Sequence, residues 1–167
     1  WVKPGTAIAL LVDRSGSMGG KPLATSAMAA AAVAWRSPED YSVIAFGKDV
    51  VVAKGQTSTK SGEQVVNDVL ALRGFGTTDL AGALLAAGDQ LSRTRAGRRI
   101  TVILSDCRAT VEGDVQAAAR ALDEVVILAP LGDDAEARVL ASQVGARIAC
   151  IDGPSDIPSA LQTVLGD

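Results

Sequence analysis

The chain has 167 residues, a length that fits one compact domain, and its 48% hydrophobic content is mostly aliphatic because aromatic residues make up only 3%. The formal net charge is -3, with 16 Lys and Arg against 19 Asp and Glu, which argues against a nucleic-acid-binding surface. The chain has no histidine, which excludes a Ser-His-Asp triad and any histidine-ligated zinc or iron site.

Apolar runs of strand length alternate with stretches of helical spacing, which predicts a doubly wound α/β fold with helices on both faces of a mainly parallel, six-stranded sheet. Most runs are continuous rather than alternating, as in strands that are buried on both faces. Only three residues separate the second and third runs, so we expect a hairpin with the third as an antiparallel edge strand. The predicted strands are residues 7–12, 41–46, 50–53, 100–104, 125–129 and 147–151.

The helices between these strands have recognisable ends. Ser61 followed by Gln64 predicts a capping box at the start of one helix. Thr78 or Asp79 is expected to cap the next helix, and Gly145 to end a later one. The residues that we expect to point inward from two of these helices are Leu80, Leu84, Ala87 and Leu91, and then Leu161 and Leu165.

The first and fourth predicted strands both end at an acidic residue. Asp13 follows the first strand, with Ser15 and Ser17 at alternate positions of a tight turn, and Asp106 follows the fourth. These two strands are expected to be neighbours at the switch point of the sheet, so the two carboxylates would repel each other without a cation. Carboxylate and hydroxyl oxygens suit Mg²⁺ or Mn²⁺. The predicted metal-binding residues are Asp13, Ser15, Ser17, Thr78 and Asp106.

Segments around these residues resemble the von Willebrand factor A-type (VWA) domain family. DRSGSMGGKPL is similar to the family's DxSxS motif and the start of its first helix, and DYSVIAFG to its second strand. GTTDLAGAL is similar to its third loop, and RRITVILSD to its fourth strand ending in Asp. The resemblance covers nearly the whole chain, and all five predicted metal-site positions occur in the family's order.

The resemblance implies the family's metal ion-dependent adhesion site (MIDAS). In such a site Ser15, Ser17 and often Thr78 contact the ion directly, whereas Asp13 and Asp106 act mainly through bound waters. An ion held largely by neutral hydroxyls still attracts a carboxylate from a partner's Asp or Glu. We therefore expect a non-enzymatic, metal-dependent protein interaction module that uses Mg²⁺, with Mn²⁺ or Ca²⁺ as alternatives.

Shorter matches indicate a branch of the family. Two positions beside the site differ from the family pattern. SDCRAT resembles a stretch of magnesium-chelatase-type VWA domains, and VVILAPL a strand and turn of VWA proteins that accompany MoxR-type AAA+ ATPases. These matches favour intracellular bacterial machinery with such an ATPase as a partner. Cys107 stands where the family commonly has Gly, and Gly76 with Thr77 replaces its usual double glycine. We expect Cys107 to be a small buried residue rather than a redox-sensitive one.

The two cysteines and the chain ends bear on localisation. Cys107 and Cys150 follow or lie in different predicted strands, so we expect free thiols and a reducing, cytoplasmic compartment. No apolar stretch is long enough to span a bilayer, and no signal-peptide pattern is present. Because the chain begins with Trp1, we expect residues 1–167 to be a single domain excised from a longer protein and monomeric in isolation.

Two other classes of function stay open. A strand-terminal Asp also serves Mg²⁺-dependent phosphoryl transfer, but Ser15 stands where an aspartate phosphatase needs a second Asp, and Ala129 and Pro130 stand where a receiver domain needs Lys. A phosphate-binding P-loop is disfavoured because Ser15 and Pro22 occupy positions that require Gly and Ser or Thr. The other class is a metal-independent structural scaffold, for which loss of Asp13 would leave partner binding unchanged.

Overall fold

The structure, a computed structural model, describes residues 5–14, 22–71, 77–109 and 113–165. Its strands are β1 (Thr6–Asp13), β2 (Tyr41–Phe46), β3 (Val50–Lys54), β4 (Arg98–Leu104), β5 (Glu124–Pro130) and β6 (Arg147–Ile151). They form one sheet in the order β3-β2-β1-β4-β5-β6. Neighbouring strands are parallel except for the antiparallel pair of β2 and β3, so the predicted sheet and hairpin are confirmed.

Helices cover both faces of the sheet. They are α1 (Pro22–Arg36), α2 (Gly62–Ala71), α3 (Leu80–Leu91), α4 (Val115–Arg120), α5 (Ala135–Val144) and α6 (Ile157–Leu165). One buried cluster joins α1, α2 and α6 to the sheet, and a second joins α3, α4 and α5 to the opposite face. None of the helices in the described ranges combines the length and apolarity needed to cross a membrane.

The central strand β1 explains why the apolar runs in the sequence are continuous. Ile8, Leu10 and Val12 belong to the cluster beneath α1, α2 and α6. The alternate residues, Ala7, Ala9 and Leu11, belong to the cluster on the other face. Every side chain from position 7 to 12 is therefore buried, as expected of a parallel strand covered on both sides.

The predicted helix ends are largely confirmed by hydrogen bonds. The Asp79 carboxylate accepts a bond from the Gly82 N–H at 2.9 Å and caps α3. The Ser61 hydroxyl accepts one from the Gln64 N–H at 3.2 Å at the start of α2. Gly145 ends α5 with φ of 73°, a left-handed conformation that glycine adopts without steric cost. The inward residues predicted for α3 and α6 are all buried.

Charged residues extend the starts of two strands beyond their apolar residues. β4 starts at Arg98 rather than Ile100, and β5 at Glu124 rather than Val125. The Arg98 guanidinium donates to both Glu124 carboxylate oxygens, at 2.8 and 3.1 Å, which lets charged residues extend adjacent buried strands. This ion pair lowers the pKa of Glu124, chiefly through the hydrogen bond from Arg98.

Candidate metal site

The carboxyl ends of β1 and β2 meet the loop that precedes α3. The N–H of Arg14, the first residue after β1, donates to the Phe46 carbonyl at 2.7 Å. The Asp79 N–H donates to the Gly47 carbonyl at 2.8 Å and holds its loop against the end of β2. Thr78, which precedes that anchor, is buried at this edge of the sheet. Residues far apart in the sequence are thereby gathered beside the end of β1.

Asp13 is tied directly to the end of β4. It is the last residue of β1 and 1% exposed, and its Oδ2 accepts a hydrogen bond from the Ser105 hydroxyl at 2.6 Å. The Ser105 oxygen in turn accepts a bond from the Cys107 N–H at 2.9 Å. Ser105 is not among the metal-site residues predicted from the sequence. Its position follows from strand register, which no sequence pattern reports: Val12 pairs with Leu104 and places the next residues of the two strands side by side.

Asp106 is the most informative residue of the site. It is fully buried, and its Oδ1 accepts a hydrogen bond from the Arg108 N–H at 3.0 Å. Its Oδ2 is buried and has no hydrogen-bond partner in the described part of the chain. A buried carboxylate oxygen without a partner is costly, so Oδ2 is an atom that a cation would stabilise.

The oxygen donors at this edge fit a hard divalent cation. Asp13 and Asp106 supply carboxylates and Thr78 a buried hydroxyl, which are ligands typical of Mg²⁺ and Mn²⁺. Within the described ranges, no group of three or more Cys, Asp or Glu side chains is arranged to hold a metal. Ser15 and Ser17, the two predicted serine ligands, lie outside the described residues.

Cys107 adopts an unusual backbone conformation beside this site. Its φ of 62° is the one positive value for a non-glycine residue in the described ranges. A side chain in that conformation costs roughly 1–2 kcal/mol, which accounts physically for a glycine at this position in the family pattern. The thiol is free and buried, as expected. Burial raises the pKa of Cys107 to about 12, with smaller contributions from the carboxylates of Asp106 and Asp13.

The chain matches the model of a known domain family. A family model described as the von Willebrand factor type A domain matches residues 8–109, which is more than half of the chain. The chain belongs to this family. The match runs from β1 to the loop after β4 and so includes every residue of the predicted metal site. Comparison with curated proteins finds no match.

Solved structures share this VWA fold at low sequence identity. The manganese-loaded TRAP protein of Plasmodium vivax has a TM-score of 0.77 and 15% identity, covering 99% of this chain and 75% of that one. Mussel byssus proximal thread matrix protein 1 with a zinc-occupied MIDAS motif has a TM-score of 0.76 and 15% identity, covering 98% of this chain and 48% of that one. BatB of Bacteroides thetaiotaomicron has 0.71 and 14%, covering 97% of each. This chain spans about half of the mussel protein, and these likenesses show the fold alone.

We predict that two fully buried serines differ in their contribution to stability. Ser105→Ala removes two hydrogen bonds and should lower the free energy of unfolding by about 1–3 kcal/mol. Ser42→Ala is the matched control, because the Ser42 hydroxyl is buried without a partner in the described ranges and its loss should be neutral or stabilising. Guanidinium unfolding in EDTA measures both, and equal effects would contradict the Ser105 assignment.

We also predict that glycine is more stabilising than alanine at position 107, the reverse of the usual order. Cys107→Gly should unfold at a higher denaturant concentration than Cys107→Ala, by roughly 1 kcal/mol, because only glycine relieves the left-handed backbone. At ordinary positions the alanine variant would be the more stable one. Equilibrium unfolding of both variants without metal provides the comparison, and a more stable alanine variant would show that the backbone there is unstrained.

Proposed function

We propose that this VWA domain is a metal-dependent protein interaction module. The supporting observation is the buried Asp106 Oδ2, which has no partner within the described residues. When bound, a divalent cation would supply the missing positive charge and a coordination position for an Asp or Glu of a partner protein. The residues proposed to hold Mg²⁺, or Mn²⁺ or Ca²⁺ in its place, are Asp13, Ser15, Ser17, Thr78 and Asp106.

Hydrogen bonds from neighbouring residues position the proposed ligand oxygens in the absence of a partner. The Ser105 hydroxyl orients the Asp13 carboxylate, and the Arg108 N–H fixes one oxygen of Asp106. The hydrogen bond between Asp79 and Gly47 holds the Thr78 loop at the same edge. These constraints lower the entropy cost of assembling a metal site.

We propose a non-enzymatic role. Proton transfer by histidine is excluded by composition. Receiver-type phosphoryl transfer would need a lysine at the end of β5, where Ala129 and Pro130 stand. Release of phosphate from a phosphorylated model substrate in Mg²⁺, lost on Asp13→Ala, would contradict this role.

The wider setting that we propose is a bacterial, cytoplasmic assembly with a MoxR-type AAA+ ATPase. The SDCRAT and VVILAPL segments support it, and a bacterial protein, BatB, shares the fold over 97% of each chain. Residues 1–167 would act there as one domain of a longer protein.

We predict a metal-dependent gain in stability. At a free Mg²⁺ or Mn²⁺ concentration about ten times Kd, binding to the folded state alone adds about 1.4 kcal/mol, or about 3–6 °C in Tm. Asp106→Asn should abolish this shift and raise the Tm of the metal-free protein, because it neutralises a buried, unsatisfied carboxylate. Differential scanning calorimetry with and without EDTA measures both effects.

Asp152→Asn is the matched control for that experiment. Asp152 is an exposed acid directly after β6, at the same edge of the sheet but two strands from β4 and three from β1. It should keep the full metal-dependent shift. Absence of a shift in the parent protein, or its survival in Asp106→Asn, would refute the metal site.

Measurement of partner binding distinguishes a metal-dependent interaction module from a metal-independent scaffold. We predict that a purified MoxR-type ATPase binds the parent domain in Mg²⁺ and loses at least tenfold in affinity in EDTA or with Asp13→Ala, as expected when a group that holds the ion through bound water is removed. Isothermal titration calorimetry measures the affinity. Equal binding in all conditions would favour the scaffold, and absence of binding in Mg²⁺ would remove this ATPase as the partner.

A further inference from the structure

A groove of about 620 Å³ lies between α4 and α5, beside the candidate metal site. Cys107 and Ala109, from the loop after β4, contribute to its wall, so the groove is continuous with the loop that carries Asp106. Val115 lines it from the first turn of α4. α5 contributes one stripe at helical spacing, formed by Glu136, Val139, Leu140 and Gln143.

The direction of α5 gives the groove two distinct ends, and the end near Glu136, the mouth, lies nearer the candidate site. Because α5 follows β5, its first turn with Glu136 lies towards the carboxyl edge of the sheet, where the candidate site is. Its last turn lies towards the opposite edge, where the Arg120 guanidinium donates to the Gln143 carbonyl at 2.9 Å and joins the two helices. From Glu136 to Gln143 the helix rises about 10 Å, the length of about three extended residues.

The lining changes in chemistry along this length. At the mouth, the Glu136 carboxylate is exposed and forms no ion pair with any described residue. Asp114, also at the mouth, caps α4 through the Ala117 N–H at 2.9 Å. Deeper in, Val139 is 52% exposed beside the buried Leu140. The groove is therefore acidic near the metal site, aliphatic at Val139 and Leu140, and polar again at Gln143.

We propose that this groove binds the residues next to the metal-coordinating acid of the partner. The inference rests on the proposed function, because that acid places the adjoining segment at the mouth. A Lys or Arg of the segment lies opposite Glu136, and an aliphatic side chain then packs on Val139 and Leu140. The partner's recognition segment is thus extended and carries an acid, a base and an aliphatic residue in that spatial order.

The two contacts contribute differently. Burial of one aliphatic side chain changes affinity on the order of tenfold to a hundredfold, whereas an exposed ion pair adds little. Affinity should therefore depend mainly on Val139, and the choice between basic and acidic residues mainly on Glu136.

Two displayed peptide libraries test the proposal. Each contains ten random residues around one fixed position, which is Asp in the first library and Asn in the second. Selection on the intact chain in Mg²⁺ should enrich peptides from the Asp library alone. The enriched peptides should carry a Lys or Arg nearer to the Asp and an aliphatic residue farther from it.

Variants of exposed groove residues then test the position of the bound peptide. With the best peptide, Val139→Glu should raise Kd about tenfold or more. Selection on Glu136→Lys should replace the basic preference with an acidic one. Leu85→Glu is the matched control on α3, where Leu85 is 65% exposed, and it should leave Kd unchanged. An unchanged Tm shows that each variant is folded.

The outcomes distinguish this inference from the proposed function. Asp- and Mg²⁺-dependent peptides that bind Val139→Glu and Glu136→Lys as well as the parent would overturn the groove proposal and leave the metal site intact. Peptides that need the groove but bind equally in EDTA would overturn the metal-dependent function and, with it, the inference that the groove binds residues next to a metal-bound acid. Failure to enrich any peptide, while Mg²⁺ still raises Tm, would overturn the groove proposal alone.

Discussion

Parallel pairing between β1 and β4 determines that Asp13 and Asp106, at the carboxyl ends of the two strands, lie at the same edge of the sheet. The register that pairs Val12 with Leu104 brings Asp13 beside Ser105, and the hydroxyl–carboxylate bond at 2.6 Å joins them. Asp106 follows one residue later, fully buried. A shift in this register would separate the carboxylates and remove the anchor of the loop after β4, so the candidate site depends on the central strand pair.

That register places the Asp106 carboxylate in a buried position where few polar groups can stabilise it. Asp106 offers Oδ2 to no described group, although buried polar atoms in folded proteins nearly always find a partner. Such local conflicts with stability are most common where function requires them. The packed apolar clusters on both faces of the sheet contribute the stability that offsets this cost.

The extent of prediction from sequence differs between the sheet and the site. Apolar runs identified all six strands of the described ranges. The runs are clearest in β1, β2, β4 and β5, because burial on both faces leaves a direct compositional pattern. The starts at Arg98 and Glu124 were missed because their ion pair joins residues distant in the chain. The role of Ser105 depends on strand register, and the groove depends on how α4 and α5 pack. Neither leaves a periodic signal in the sequence.

The left-handed backbone at Cys107 also limits how this surface can diversify. β-branched and bulky side chains are strongly disfavoured at φ of 62°, so substitution there is restricted to glycine and a few compact residues. The next two positions, Arg108 and Ala109, are exposed and have no such restriction. Changes in binding specificity, whether engineered or evolved, are therefore easier at positions 108 and 109 than at position 107.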